Sequence, residues 1–266
     1  MWRKRTMWSL IASLPFLTGG GKDAAAGEAT FQDWWPDVVT RLERGAFNEK
    51  DLREARATCL KGLEGSLKPE QAVLVRYSIA YADWRLVRVP SIQKDEQLPL
   101  HDEAVAQLQQ ALALDPRNAE SLALLAAVYG SQMGFVPALG MELGSKAASA
   151  LEQAVKLEPD NPRIVLAQGG SAFHTPPAYG GSMEKAEACF RRAISLFASE
   201  PPSRPWPSWG RLDAHLWLGI LLERRGDREN ARAEYKKTLA IDPEFGWVRF
   251  VLLPRLEAKS DVKNNR

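Results

Sequence analysis

Cysteine is almost absent from this chain of 266 residues: only Cys59 and Cys189 occur, 130 positions apart. That excludes a disulfide-rich scaffold and a zinc site built on clustered cysteines. Both cysteines read as small buried hydrophobes. Histidine is nearly as scarce. His101, His174 and His215 stand in no H-x-x-x-H or HExxH relation, so no metal and no cofactor is expected. A G-x-S-x-G turn, a glycine-rich loop behind a strand and a local carboxylate pair are also missing, and the chain is expected to be non-catalytic. The charge balance is slight as well, at +2. Residues 1–26 hold four basic groups and one acidic group, which leaves 31 basic against 32 acidic in the remainder. A near-neutral surface of mixed sign suits neither nucleic acid nor an anionic membrane.

The N-terminus is equally short of spanning length. Residues 6–18 (TMWSLIASLPFLT) form an apolar run of 13 interrupted by Pro15, whereas a membrane-crossing helix needs ~20. The run follows the basic start Arg3-Lys4-Arg5 and precedes Ala24-Ala25-Ala26, a small-residue cleavage pattern. This three-part layout is that of a secretory signal peptide over 1–26, with no stable membrane insertion once it is removed. The expected location is periplasmic or secreted. Gly19-Gly20-Gly21-Lys22 is followed by Asp23, where a phosphate loop requires Ser or Thr, so it is set aside.

What is present is a repeat. Residues 212–243 read His215-x2-Leu218-Gly219-x2-Leu222, then Ala231-x3-Tyr235-x2-Thr238-x4-Pro243, with Gly226-Asp227 between them. Each half has the i, i+3, i+4, i+7 spacing of one helix face. Gly226 suits the end of the first helix and Asp227 the cap of the second. Gly219 and Ala231 are small, as a close helix crossing requires. The second half recurs as Ala104-x3-Leu108-x2-Ala111-x4-Pro116, as Ala147-x3-Leu151-x2-Ala154-x4-Pro159, and as Ala186-x3-Phe190-x2-Ala193. The first half recurs more loosely around Ser78, Ala126 and Gly169.

These spacings resemble the tetratricopeptide repeat, a helix–turn–helix unit of ~34 residues. His215 and Thr238 depart from the Trp and Ala usual in that family. The resemblance implies an all-α, right-handed superhelical solenoid of four to five hairpins. The hairpins are expected at about 31–66, 70–116, 119–159, 162–198 and 212–243, with a closing helix at 244–254 and a disordered tail at 259–266. The separation of the small first-helix residue from the second-helix alanine is 12 for Gly219–Ala231 but 26, 21 and 17 for the earlier pairs. Insertions of 14, 9 and 5 residues therefore fall at the turn inside successive hairpins, which lie along one edge of a solenoid. The stretch Phe173-His174-Thr175-Pro176-Pro177-Ala178-Tyr179-Gly180-Gly181 before Lys185-Ala186 is similar to exported bacterial tetratricopeptide proteins. It is also similar to the periplasmic component associated with TRAP transporters, a resemblance that implies a ligand-enclosing pore.

First helices of such hairpins line the concave face. One step beyond the packing residues lie Arg163, Leu166, Phe173 and His174, and further on Leu216 and Ile220, with Tyr179 expected at the groove mouth. A lining so small and aliphatic suits an apolar helix or peptide of a protein partner, or a lipophilic small molecule. A second reading stays open, in which inserted segments fill the groove and these residues are core. The proline-rich stretch Pro201 to Trp209 likewise reads either as a recognition segment or as a stiff connector. In the connector reading, its tryptophans pack over the hairpins on either side, at 162–198 and 212–243. The leading expectation is a non-catalytic exported scaffold that binds a protein partner through its concave face and enlarged loop edge. The alternative is a ligand carrier with an apolar pore.

Overall fold

The structure is a computed structural model and describes residues 30–44, 48–201 and 206–256. The proposed signal peptide and the tail at 259–266 lie outside the described residues. Ten α-helices and no strand occur among those described. They pair in chain order: α1 (Phe31–Arg44) with α2 (Glu49–Gly62), α3 (Pro69–Leu86) with α4 (Lys94–Leu114), and α5 (Ala119–Gln132) with α6 (Gly140–Leu157). α7 (Pro162–His174) pairs with α8 (Met183–Ser199), and α9 (Arg211–Arg224) with α10 (Arg228–Ile241). A π-helical turn at Val248–Leu252 packs on α10 and closes the stack.

Local chemistry accounts for the helix ends. Asn48, Asn118, Asn161, Ser182 and Asp227 each accept a backbone N–H of the first turn through the side chain, which satisfies donors that the helix itself leaves free. Gly226 has φ 85°, a backbone state open to glycine at little cost, and lets α9 stop where α10 begins. The crossing inside the last hairpin is tight. A Cβ placed on Gly219 would meet the Tyr235 ring at 2.6 Å, and one on Gly169 would meet the Phe190 ring at 2.6 Å.

The insertions do not all become loops. α4 begins ten residues before Ala104 and α6 seven before Ala147, whereas α8 and α10 begin three before Ala186 and Ala231. Part of the first two insertions thus lengthens the second helix at its start. The rest forms the turns 87–93, 133–139 and 175–182, of which the last two contain the short 3-10 turns Pro137–Leu139 and Pro177–Tyr179. The first helices α1, α3, α5, α7 and α9 touch in succession and form the inner layer.

Candidate functional site

The inner layer is closed by a strap formed by residues 206–210. Trp206 is buried, sets its ring edge-on to Tyr81 at 5.2 Å, and donates from Nε1 to Ser78 Oγ at 2.9 Å. Trp209 donates from Nε1 to Tyr77 Oη at 2.8 Å and lies 5.2 Å from the Tyr81 ring and 5.7 Å from Trp84. Ser208 donates to the Glu43 carboxylate on α1. Gly210, at φ 111°, then turns the chain into α9 under the Phe197 ring. Trp206 and Trp209 therefore pack across the concave face on α3 of the second hairpin, and Trp209 also packs against the core of the two hairpins on either side of the stretch, as the connector reading expects. This stretch serves as connector, and its aromatic residues fill the groove.

A buried ion pair lies beside the strap. Arg85 on α3 donates from both Nη atoms to the two Asp213 oxygens on α9, at 2.7 and 2.6 Å, with the side chains 1% and 8% exposed. The Arg85 guanidinium also faces the Tyr81, Trp84 and Trp209 rings at 5.0, 4.8 and 5.3 Å. Burial opposes its charge, but Asp213 outweighs that and holds the Arg85 pKa above the ordinary arginine value. A second clamp centres on Arg163. It donates from Nε to Glu120 on α5 at 2.8 Å, from Nη1 to the Trp209 carbonyl at 3.1 Å, and to the Glu200 carboxylate beyond α8. Asp83, fully buried, pairs with Arg56 on α2 at 2.5 Å, and burial pushes its carboxyl up to about 7.

The residues expected to line an open groove are placed as follows. Arg163 is held in the ion cluster just described. Leu166, Phe173, Leu216 and Ile220 are all buried in the core shared by the last two hairpins. Phe173 contacts Trp217 and His174 rather than solvent, with ring centroids 5.6 and 5.0 Å away. His174 and Tyr179 are exposed, Tyr179 at 79%. Along this stretch the filled-groove alternative describes the molecule, and an apolar pore has no lumen where the strap lies. Two surface concavities of about 580 and 340 Å³ lie elsewhere. The larger is lined by residues 158–162 with Leu196 and residues 199–201, the smaller by residues of α5 and α6 such as Tyr129 and Ser149.

Counting along helices did not find Trp84 or Arg85. The available signal was the run Tyr81-Ala82-Asp83-Trp84-Arg85-Leu86-Val87-Arg88, too charged for an ordinary core helix and too aromatic for a solvated one. Among the described residues no group of three His, Cys, Asp or Glu side chains could hold a metal. No helix among them is long and apolar enough to cross a membrane. Cys59 is buried, which pushes its thiol up to about 12.

Paired helices stacked with their first members innermost define a helical repeat scaffold, and comparison with known proteins agrees. Family models described as TPR repeat or tetratricopeptide repeat match residues 101–132, 138–201 and 212–245. These three segments of the chain are tetratricopeptide repeats. A thermophilic TPR protein of Thermus thermophilus is similar in structure at 19% identity and TM-score 0.57, over 84% of this chain and 97% of that one. The HusA haemophore of Porphyromonas gingivalis is similar at 21% identity and TM-score 0.59, over 75% of this chain and 96% of its own. At these identities the likeness shows the fold. Among curated proteins none matches the chain in sequence.

Proposed function

We propose that this repeat protein is a non-catalytic, exported scaffold whose partner-binding surface is the enlarged loop edge. The carrying observation is the placement of exposed apolar side chains. Phe135 and Leu139 lie on the turn 133–139, Met141 just after it, and Tyr179 on the turn 175–182, at 41, 43, 90 and 79% exposure. Large apolar groups held in ordered turns of a repeat array mark a protein-binding surface more readily than a solvated one. The strap leaves the concave face little room for a helix, so the edge takes the role expected of the groove. The carrier reading loses its support at the same point. Export rests on the basic–apolar–small pattern of residues 1–26, and the mature chain then begins near Gly27.

The test compares the full chain with a Phe135→Ser, Leu139→Ser, Tyr179→Ser variant, each immobilised and challenged with the native extracellular or envelope fraction. A protein retained by the first and lost from the second, at equal melting temperature, supports the reading. Identical retention by both refutes the loop edge as the surface. N-terminal sequencing of the native protein tests export, and retention of Trp2 refutes it.

A further inference from the structure

The closing helix is apolar on two sides. Residues 246–256 run as one helix through the π-helical turn Val248–Leu252. Phe245, Val248, Leu252 and Leu256 are buried in the core of the last two hairpins. Trp247, Phe250, Val251 and Pro254 recur at three- and four-residue spacing on the other side and are exposed, Phe250 at 70% and Trp247 at 43%. A helix apolar all round belongs between two layers, and the described residues supply one. A π turn inside a helix is itself rare and occurs frequently at functional sites.

The end of a repeat array ordinarily carries a polar outer face, because no further repeat covers it. α1 follows this rule at the other end. It exposes Gln32, Asp33, Asp37, Thr40 and Glu43, while Phe31, Trp34 and Trp35 pack on one another with ring centroids 5.1, 5.0 and 6.0 Å apart. The closing helix departs from it. Residues 257–266, which follow, include only Ala258 and Val262 as apolar side chains, too little to cover two aromatic rings. Both signs of charge flank the stripe. Arg249 bonds Glu244 at 3.1 Å and holds its guanidinium 5.4 Å from the Phe250 ring, and Arg255 bonds Glu223 at 2.7 Å.

We infer that the stripe Trp247, Phe250, Val251 and Pro254 is the contact through which two copies of this chain pair about a two-fold axis, closing helix against closing helix. The polar outer face of α1 offers no apolar seat, which disfavours a head-to-tail stack of copies. The same stripe on a second copy does offer one. A rim carrying both signs also matches itself when turned over, since each Arg249 can meet the Glu244 of the other copy; a rim of one sign would repel its twin. Size sets the strength. The stripe exposes on the order of 400 Å² per copy, and with its charged rim the pair buries about 1,200 Å², the lower bound of specific interfaces. The dimer is therefore weak and exchanging, with a Kd on the order of 10 µM. This pairing does not rest on the scaffold reading, which uses other residues.

The experiment is sedimentation velocity of the full chain over about 1–200 µM, a range that brackets the expected Kd. Wild type is expected to pass from monomer to dimer and no further, because a two-fold contact is closed. Phe250→Ser is expected to weaken pairing about a hundredfold, since one substitution removes a ring from each copy and a central ring is typically worth about tenfold. Glu244→Arg is expected to weaken it about tenfold, and adding Arg249→Glu to restore it. All these side chains are exposed, so the melting temperatures of the dilute variants should match wild type. Val251→Lys is expected to abolish pairing as well, and it decides the matter if Phe250→Ser melts early. A monomer throughout the range, species larger than a dimer, or equal pairing of wild type and the stripe variants each overturns the proposal. So does pairing lost in a full chain carrying Leu10→Asp, Leu14→Asp and Leu17→Asp, which would assign the contact to the N-terminal apolar run. The Phe135→Ser, Leu139→Ser, Tyr179→Ser chain is expected to pair like wild type; loss of pairing there would move the contact to the loop edge.

Discussion

Replacing Asp213 by Asn removes one charge from a pair that joins α3 to α9 across the inner face. Arg85 and Asp213 are 1% and 8% exposed and share two hydrogen bonds of 2.7 and 2.6 Å. Loss of one partner strands the other charge in a low-dielectric site, at a typical cost of ~3–5 kcal/mol. Asn keeps one acceptor, and the Tyr81, Trp84 and Trp209 faces still shelter the guanidinium, so the lower end, about 3 kcal/mol, is the expected loss. With a urea slope of about 3 kcal/mol per molar, the unfolding midpoint falls by about 1 M. The assay is urea unfolding followed by circular dichroism at 222 nm. Arg85→Met combined with Asp213→Leu is expected to recover most of the loss, because an apolar pair of similar size replaces a buried ion pair at little cost. An Asp213→Asn midpoint indistinguishable from wild type would refute the claim that this pair holds the inner layer together. A double variant as unstable as the single one would refute the charge argument and leave shape alone.

Trp206→Ala is expected to lower stability by about 3–5 kcal/mol, read by the same unfolding curve, because it empties the strap's seat beside Tyr81. Gly219→Leu forces a side chain into the Tyr235 ring, which a Cβ alone would meet at 2.6 Å. Its melting temperature should drop by the equivalent of ~1–3 kcal/mol. Phe173→Asp is expected to lose helical signal, since Phe173 is 3% exposed and the new carboxylate would be buried; a fully folded variant would restore the open-groove reading. Asp83 gives a pH signature. Its folded pKa of about 7 lies above the unfolded value of 3.8, with Arg56 facing it and Glu103 and Arg53 nearby. In the window between those values the folded chain binds the extra proton, so this group's contribution to stability rises as pH falls from 7 towards 4. Asp83→Asn should flatten that part of the stability–pH curve, and an unchanged slope would refute the assignment.

Much of the architecture is legible in the residues that set the helix crossings. Gly219 and Tyr235, or Gly169 and Phe190, carry their spacing because a ring on one helix must lie against a bare backbone on the other. Gly226 and Asp227 announce the last turn for equally local reasons. The inner face is less legible. Periodicity reports that a residue packs, but not whether its neighbour is the adjoining hairpin or solvent. Leu166, Phe173, Leu216 and Ile220 were therefore placed on the correct helices with an open lining expected where core exists. The Arg85–Asp213 and Trp206–Ser78 contacts each join residues 128 positions apart, and no spacing rule within one hairpin reaches that far.

The strap also bears on how such an array could have grown. A linear stack of repeats can gain or lose a unit in its middle, because each unit answers only to its neighbours. Here Trp206 and Asp213 must reach Ser78 and Arg85, so an added hairpin between them would carry one end out of register with the other. Duplication is therefore confined to the two outer ends, and the stretch from α3 to α9 behaves as a unit of fixed length. The same closure makes the last hairpin answerable for the second. Trimming the chain before residue 206 would bare the Tyr77–Tyr81 face of α3, a surface that in an ordinary stack would never depend on the final repeat.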